Sequence, residues 1–227
     1  MTAQQVIQYG VPIARIEMLN ADQMGISINY SKLKDIEAVP TLFFEFHGSE
    51  SSNQENIKIV EELSKDNKGS SFKWAKDLED RNKLWQARWD VYYSVKALNN
   101  NGRVYSTDVC VPISKITECV KFAEEKAKEL GVRAPMVGHM GDGNFHVVLP
   151  YDPEKKDIYK QLRAFNGKLI RKALELDGTI TGEHGVGLHK KEYLLEQHPD
   201  NIPVMKSIKR TMDPNNIMNP GKIFDLN

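Results

Sequence analysis

Apolar residues along this chain fall into short alternating or continuous runs, separated by longer stretches that repeat every three to four residues. That is the pattern of strands joined by helices. Val11 to Leu19 (VPIARIEML) reads as a strand, and a short helix begins near Ala21. The aromatic run from Thr41 to Gly48 fits a buried strand. After it, serines and Asn53 offer N-caps for a helix whose apolar stripe is Ile57, Val60 and Leu63. Ser71 to Lys76 is a weaker strand candidate. Leu84, Trp85, Arg88, Val91, Tyr92 and Val95 recur at helical spacing, which predicts one helix from Leu78 to Leu98.

In the second half, Arg103 to Pro112 reads as a strand stopped by its proline, and Ser114 to Leu130 as an amphipathic helix with Gly131 as C-cap. Two strands, Pro135 to Met140 and Asn144 to Pro150, flank a glycine turn. A helix from Glu154 to Leu176, a short strand from Gly178 to Gly182, and helical stretches over Lys190 to Gln197 and Pro203 to Met212 follow. The tail, residues 213–227, is dense in Pro, Asn and Gly and reads as an irregular arm. Strands joined by helices, plus one hairpin, predict an α+β fold: a mixed, largely antiparallel sheet covered by helices, forming one domain over residues 1–227.

Charge adds a constraint. Thirty-one basic residues balance 31 acidic ones, so no field draws the chain to nucleic acid or a membrane surface. No apolar run approaches the ~18 residues of a membrane-spanning helix. The first residues lack the pattern of a secretory signal or transit peptide. Cys110 and Cys119 form no CxxC pair and are expected to be core thiols.

Candidate chemistry concentrates in two segments, Gly138 to His146 (GHMGDGNFH) and Thr181 to Gly185 (TGEHG), which hold three of the six histidines. Two imidazoles and one carboxylate can bind a divalent ion while leaving positions open for a substrate. A hairpin with the loop Gly141 to Asn144 would set Met140 opposite Phe145 and His139 opposite His146, on one side of the sheet. Glu183 and His184 are neighbours, so both can face one site only if the backbone kinks, as Gly182 and Gly185 permit. One could then be a ligand and the other a base. Arg88 lies on the apolar side of its helix, where a guanidinium must meet either a protein carboxylate or a substrate anion. His47, His189 and His198 have no such context.

Taken together, VPIARIE, PTLFFEFHGSE, LWQARWDVYY, VYSTDVCVPIS, GHMGDGNFH, GTITGEHGVG and DPNNIMNPGKIF resemble the C-terminal substrate domain of the FAD-linked D-2-hydroxy-acid dehydrogenases, in the vanillyl-alcohol-oxidase superfamily. The likeness spans nearly the whole chain and is strongest to mitochondrial members that oxidise D-lactate and pass electrons to cytochrome c. It implies His139, His146 and Glu183 as ligands of Zn²⁺ or Mn²⁺, His184 as catalytic base, Arg88 as the clamp on a substrate carboxylate, and a supporting role for Asn144 beside the ligands. The implied reaction converts D-lactate, or another D-2-hydroxy acid, to the 2-oxo acid, with the C2 hydrogen leaving as hydride to the flavin.

Members acting on D-2-hydroxyglutarate hold its second carboxylate with a Lys and a Thr. Ser106 and Tyr92 stand at the matching positions, which favours a monocarboxylate. No glycine-rich pyrophosphate loop precedes Val11. The chain is therefore expected to be the substrate half of such an enzyme, with the FAD-binding domain supplied in cis or in trans, a mitochondrial location, and the arm returning to that domain. Two readings compete: a non-catalytic metal-binding module, and a metallohydrolase that activates water at the same three ligands. Glycolate and D-2-hydroxyglutarate are the alternative substrates.

Overall fold

A computed structural model describes residues 1–98 and 102–226; Asn227, the last residue of the expected arm, lies outside the described residues. The strands are β1 (Arg15–Leu19), β2 (Thr41–Glu45), β3 (Arg103–Ser106), β4 (Val109–Cys110), β5 (Met136–His139) and β6 (Asn144–Tyr151). They form one sheet in the order β2-β1-β5-β6-β3, with β4 also paired to β6. The expected α+β class holds, and every strand pairing among the described residues is antiparallel.

The helices are α1 (Thr2–Gln8), α2 (Ala21–Ser31), α3 (Glu50–Asp66), α4 (Leu78–Trp89), α5 (Val91–Lys96), α6 (Ile116–Glu129), α7 (Ile158–Glu175), α8 (Lys191–Gln197) and α9 (Ile202–Met212). None among the described residues is long and apolar enough to cross a membrane.

Because strand side chains alternate, the sheet has two different faces. One presents Ile16, Val109, Met136, Phe145, Val147 and Leu149 to the main core, where Ile116, Cys119 and Ala123 of α6 meet Leu162, Phe165 and Leu169 of α7. Phe145 and Phe165 are fully buried there, and truncating either to Ala would cost about 3–5 kcal/mol. The other face presents Leu19, Val137 and Val148 to a smaller core made with Met24 and Ile26 of α2, Ala87 of α4, and Val91 and Val95 of α5. Two residues further along the same strands, on this same face, stand Glu17, His139 and His146. The apolar cover ends there, and the site begins.

Several local expectations are corrected. Ser71 to Lys76 forms no strand: Ser71 sits at φ +54°, and Trp74 is exposed, so neither backbone nor burial supports a ladder. The helix predicted over Leu78 to Leu98 divides at Asp90, where ψ departs to 2° and the carboxylate accepts hydrogen bonds from Ser31 and from Gln86. The predicted strand at Gly178 to Gly182 shrinks to one bridge, Thr179 to Cys110. An additional helix, α1, precedes β1 and buries Val6 against α3. Cys119 is a core thiol, its pKa pushed up to about 12 by burial. Cys110 is only half-buried, and its thiol donates to the Asp142 carbonyl.

Candidate metal and substrate site

The β5–β6 hairpin turns through residues 140–143, so His139 pairs with Asn144, Gly138 with Phe145 and Val137 with His146. The expected pairing of His139 with His146 is two residues out of register. β4 explains the choice: it takes Asn144 into the sheet, paired with Cys110, and the Gly143 carbonyl accepts the Val111 N–H at 3.0 Å. A slip of two preserves the face of every side chain. His139 and His146 therefore still share a face, as diagonal neighbours with ring centroids 5.9 Å apart.

Each imidazole is held by its Nδ1. That of His139 lies 2.7 Å from Oε1 of Glu17, its register partner on β1. That of His146 lies 2.9 Å from the carbonyl oxygen of Thr107. The second bond accounts for the gap between β3 and β4. The pairing is in one register on both sides of the gap, Ser106 with Val148 and Val109 with Phe145. At Thr107 the side-chain oxygen accepts the Val147 N–H at 2.9 Å, and the freed carbonyl turns to the imidazole. With Nδ1–H donated to an acceptor in both rings, each Nε2 presents a lone pair.

Those two Nε2 atoms and a Glu183 carboxylate oxygen all lie within 4.8 Å of one another. Oε1 of Glu183 is 2.9 Å from Nε2 of His146 and 3.6 Å from Nε2 of His139. Ligand atoms around a tetrahedral zinc stand ~3.3 Å apart, given bonds of ~2.0–2.1 Å. His146 Nε2 is buried and makes no hydrogen bond despite that close carboxylate. A buried lone pair without a proton donor, beside an anionic oxygen and a second imidazole nitrogen, fits a divalent cation.

The kink that brings Glu183 into the site is tied to Asp108, which is 3% exposed in the gap between β3 and β4. Its carboxylate accepts the backbone N–H of Glu183 at 3.3 Å, the N–H of His184 at 3.2 Å and the Thr181 hydroxyl at 2.5 Å. Lys190 donates to the same carboxylate at 3.2 Å and to the Asp108 carbonyl at 2.7 Å. Burial alone would raise the Asp108 pKa. The hydrogen bond from Thr181, the Lys190 charge and the loop N–H groups outweigh it and hold the pKa at about 2.

Arg88, on α4, donates from Nε to Oε2 of Glu17 at 2.9 Å. Glu17 thus joins Arg88 to His139. Its own burial pushes its pKa up, but the bonds to His139 and Arg88 prevail and leave it below the usual carboxylate range. The same contact raises the His139 pKa against the opposing effect of burial. Burial lowers the pKa of His146.

Of the remaining expected residues, His184 lies beside the cluster, its ring centroid 5.3 Å from that of His146, with its side chain exposed. Asn144 is buried with its Oδ1 unpartnered. Its amide packs on Gly182 so closely that a Cβ there would collide with it. Ser106 and Tyr92 are exposed. His47 is exposed and bonds Glu45, and neither it, His189 nor His198 joins the cluster.

Sequence reading missed Glu17, Thr107, Asp108 and Lys190. Two had a signal: Glu17 and Asp108 are acids inside otherwise apolar strand patterns, and a buried charge demands partners.

The chain matches the family described as FAD linked oxidases, C-terminal domain, over residues 1–223, and it belongs to that family. It is 44% identical over 98% of its length to "Probable D-lactate dehydrogenase, mitochondrial" of Danio rerio, covering 45% of that protein. It is 35% identical over 95% of its length to D-lactate dehydrogenase [cytochrome], mitochondrial, of Arabidopsis thaliana, covering 38%. To glycolate oxidase subunit GlcD of Bacillus subtilis it is 30% identical over 98% of its length, covering 47%. The chain thus spans less than half the length of these relatives. Among solved structures, p-cresol methylhydroxylase with substrate bound shares the fold at a TM-score of 0.67 and 12% identity, covering 99% of this chain and 50% of that one.

Proposed function

We propose that this chain is the substrate- and metal-binding domain, over residues 1–227 with 213–227 as its arm, of an FAD-dependent dehydrogenase that converts D-lactate to pyruvate. The observation that carries the reading is the convergence of His139 Nε2, His146 Nε2 and a Glu183 oxygen on one point, with Arg88 held beside it by Glu17. His139, His146 and Glu183 would hold Zn²⁺ or Mn²⁺. A divalent ion there supplies Lewis-acid stabilisation of negative charge on oxygen, and FAD supplies a hydride acceptor.

The chain's own residues do the rest. Arg88 binds the substrate carboxylate and orients C2. His184, solvent-facing next to the ligands, takes the proton of the C2 hydroxyl on its ring. Asn144 supports the metal-bearing strand and the Gly182 turn behind it. The relatives named above as D-lactate dehydrogenases favour D-lactate. Ser106 and Tyr92 support the same choice, since neither carries a charge to meet a second substrate carboxylate. The names of those relatives support passage of electrons to cytochrome c and a mitochondrial location.

The test is the zinc and manganese content of the purified chain and of a His139→Ala/His146→Ala variant. Loss of metal from the variant is expected; equal content in both rejects the site. Joined to a flavin-binding domain, the chain should oxidise D-lactate in preference to glycolate and D-2-hydroxyglutarate. No turnover of any 2-hydroxy acid would reject the enzymatic reading in favour of a metal-binding module.

A further inference from the structure

Glu17 has two partners that the proposed reaction uses for different ends. Its side chain is 7% exposed and stands in direct register with His139 across the β1–β5 ladder. One oxygen takes the His139 imidazole at 2.7 Å and the other takes the Arg88 guanidinium at 2.9 Å. Both carboxylate oxygens are thereby committed. On the Arg88 side, the bond uses Nε, so the fork formed by the two terminal nitrogens remains for an anion. On the His139 side, an acceptor at Nδ1 leaves Nε2 as the ligating atom. The carboxylate is planar and short, and its root is a strand residue, so the two bonds set how far the guanidinium stands from the ligating ring.

We propose that Glu17 is the positioning residue that ties the substrate clamp to the metal centre: one carboxylate fixes the ligating nitrogen of His139 and the free edge of Arg88 together. This inference rests on the metal-site reading above and extends it to a residue that touches neither ion nor substrate. Its consequence is linkage. Filling the metal site should tighten the His139–Glu17 bond and be felt at Arg88, which donates nothing to the ion.

The experiment is zinc titration of the full chain by calorimetry, alongside side-chain ¹⁵N NMR, for wild type, Glu17→Gln and Glu45→Gln. Glu45 is the control: it is a carboxylate on the neighbouring strand that bonds Arg15. Glu17→Gln, which keeps the shape but cannot accept from both donors, is expected to bind zinc about tenfold to a hundredfold more weakly. Glu45→Gln should stay within about twofold. In wild type, zinc should shift the Arg88 Nε–H resonance, and Glu17→Gln should abolish that shift.

Zinc affinity in Glu17→Gln equal to that of wild type would overturn the proposal. So would an Arg88 resonance in wild type that ignores zinc, a measurement that decides the matter even if the variant does not fold. Zinc binding that persists in His139→Ala/His146→Ala overturns the metal site and this inference with it. Zinc binding lost there but retained in Glu17→Gln overturns only the role of Glu17.

Discussion

His139 and His146 offer the same atom to the same point, yet they are held there by different means. His139 leans on a side chain, Glu17, which is shared with Arg88 near the open edge of the face. His146 leans on the main chain, the Thr107 carbonyl, and beside it the buried Asp108 ties down the loop that carries Glu183 and His184. The first half is a relay of charged side chains on a regular ladder. The second is a break in a ladder, stabilised by a buried ion pair. Substitutions in the first should disturb function more than folding, and substitutions in the second should disturb folding first.

The largest effect should come from Asp108→Ala. It strands Lys190, which is 9% exposed, and leaves the N–H groups of Glu183 and His184 without their acceptor. Removing one partner of such a buried pair costs about 3–5 kcal/mol, which urea unfolding would report. A loss below about 1 kcal/mol, the scale of an exposed pair, would erase the contrast between the halves. Next is Thr107→Val, nearly isosteric but without the oxygen that accepts the Val147 N–H. A buried donor left unpaired costs about 1–3 kcal/mol. Because the carbonyl that holds His146 survives, zinc affinity in this variant should fall less than in Glu17→Gln.

Arg88→Lys tests the other half. It keeps a charge near Glu17 but lacks the fork, so stability should change by about 1 kcal/mol or less. The apparent affinity for D-lactate in the flavin-containing protein should fall by tenfold or more, about 1.4 kcal/mol. An unchanged KM would assign Arg88 to structure alone. The smallest effect is expected for Arg15→Ala on β1, the strand that carries Glu17. Arg15 pairs with Glu45 and lies 4.3 Å over the Trp85 ring, with its side chain half exposed. Thermal unfolding should register about 0–1 kcal/mol.

The same contrast explains what was legible in the sequence. The helices showed because amphipathic periodicity is local, and α3, α6 and α7 lie close to the spans expected for them. The three residues of the cluster drew attention because histidines and a glutamate set among glycines are uncommon, and the structure brings them together. The hairpin register was misplaced by two because several loops fit the same glycines, and the pairing of Asn144 with Cys110 on a strand remote in sequence decides among them. The supports of the site stayed hidden because they come from far away: Glu17 lies 122 residues before His139, and Thr107 lies 39 before His146. Asp108 was visible as an anomaly, an acid within an apolar strand. Nothing local says that its partners are a loop and a lysine some 75 to 82 residues later.

The Thr107 carbonyl has one more implication, for how such a site can change over generations. A backbone acceptor is present whatever residue is encoded there, so no single codon change deletes the partner of His146. The partner of His139 can be deleted, weakened or shortened by changing one codon, that of Glu17. Within a lineage, the His146 side should stay invariant in geometry while the Glu17 side drifts, so that under the proposed function Glu17 would be the position at which ion affinity and substrate preference are retuned without rebuilding the sheet.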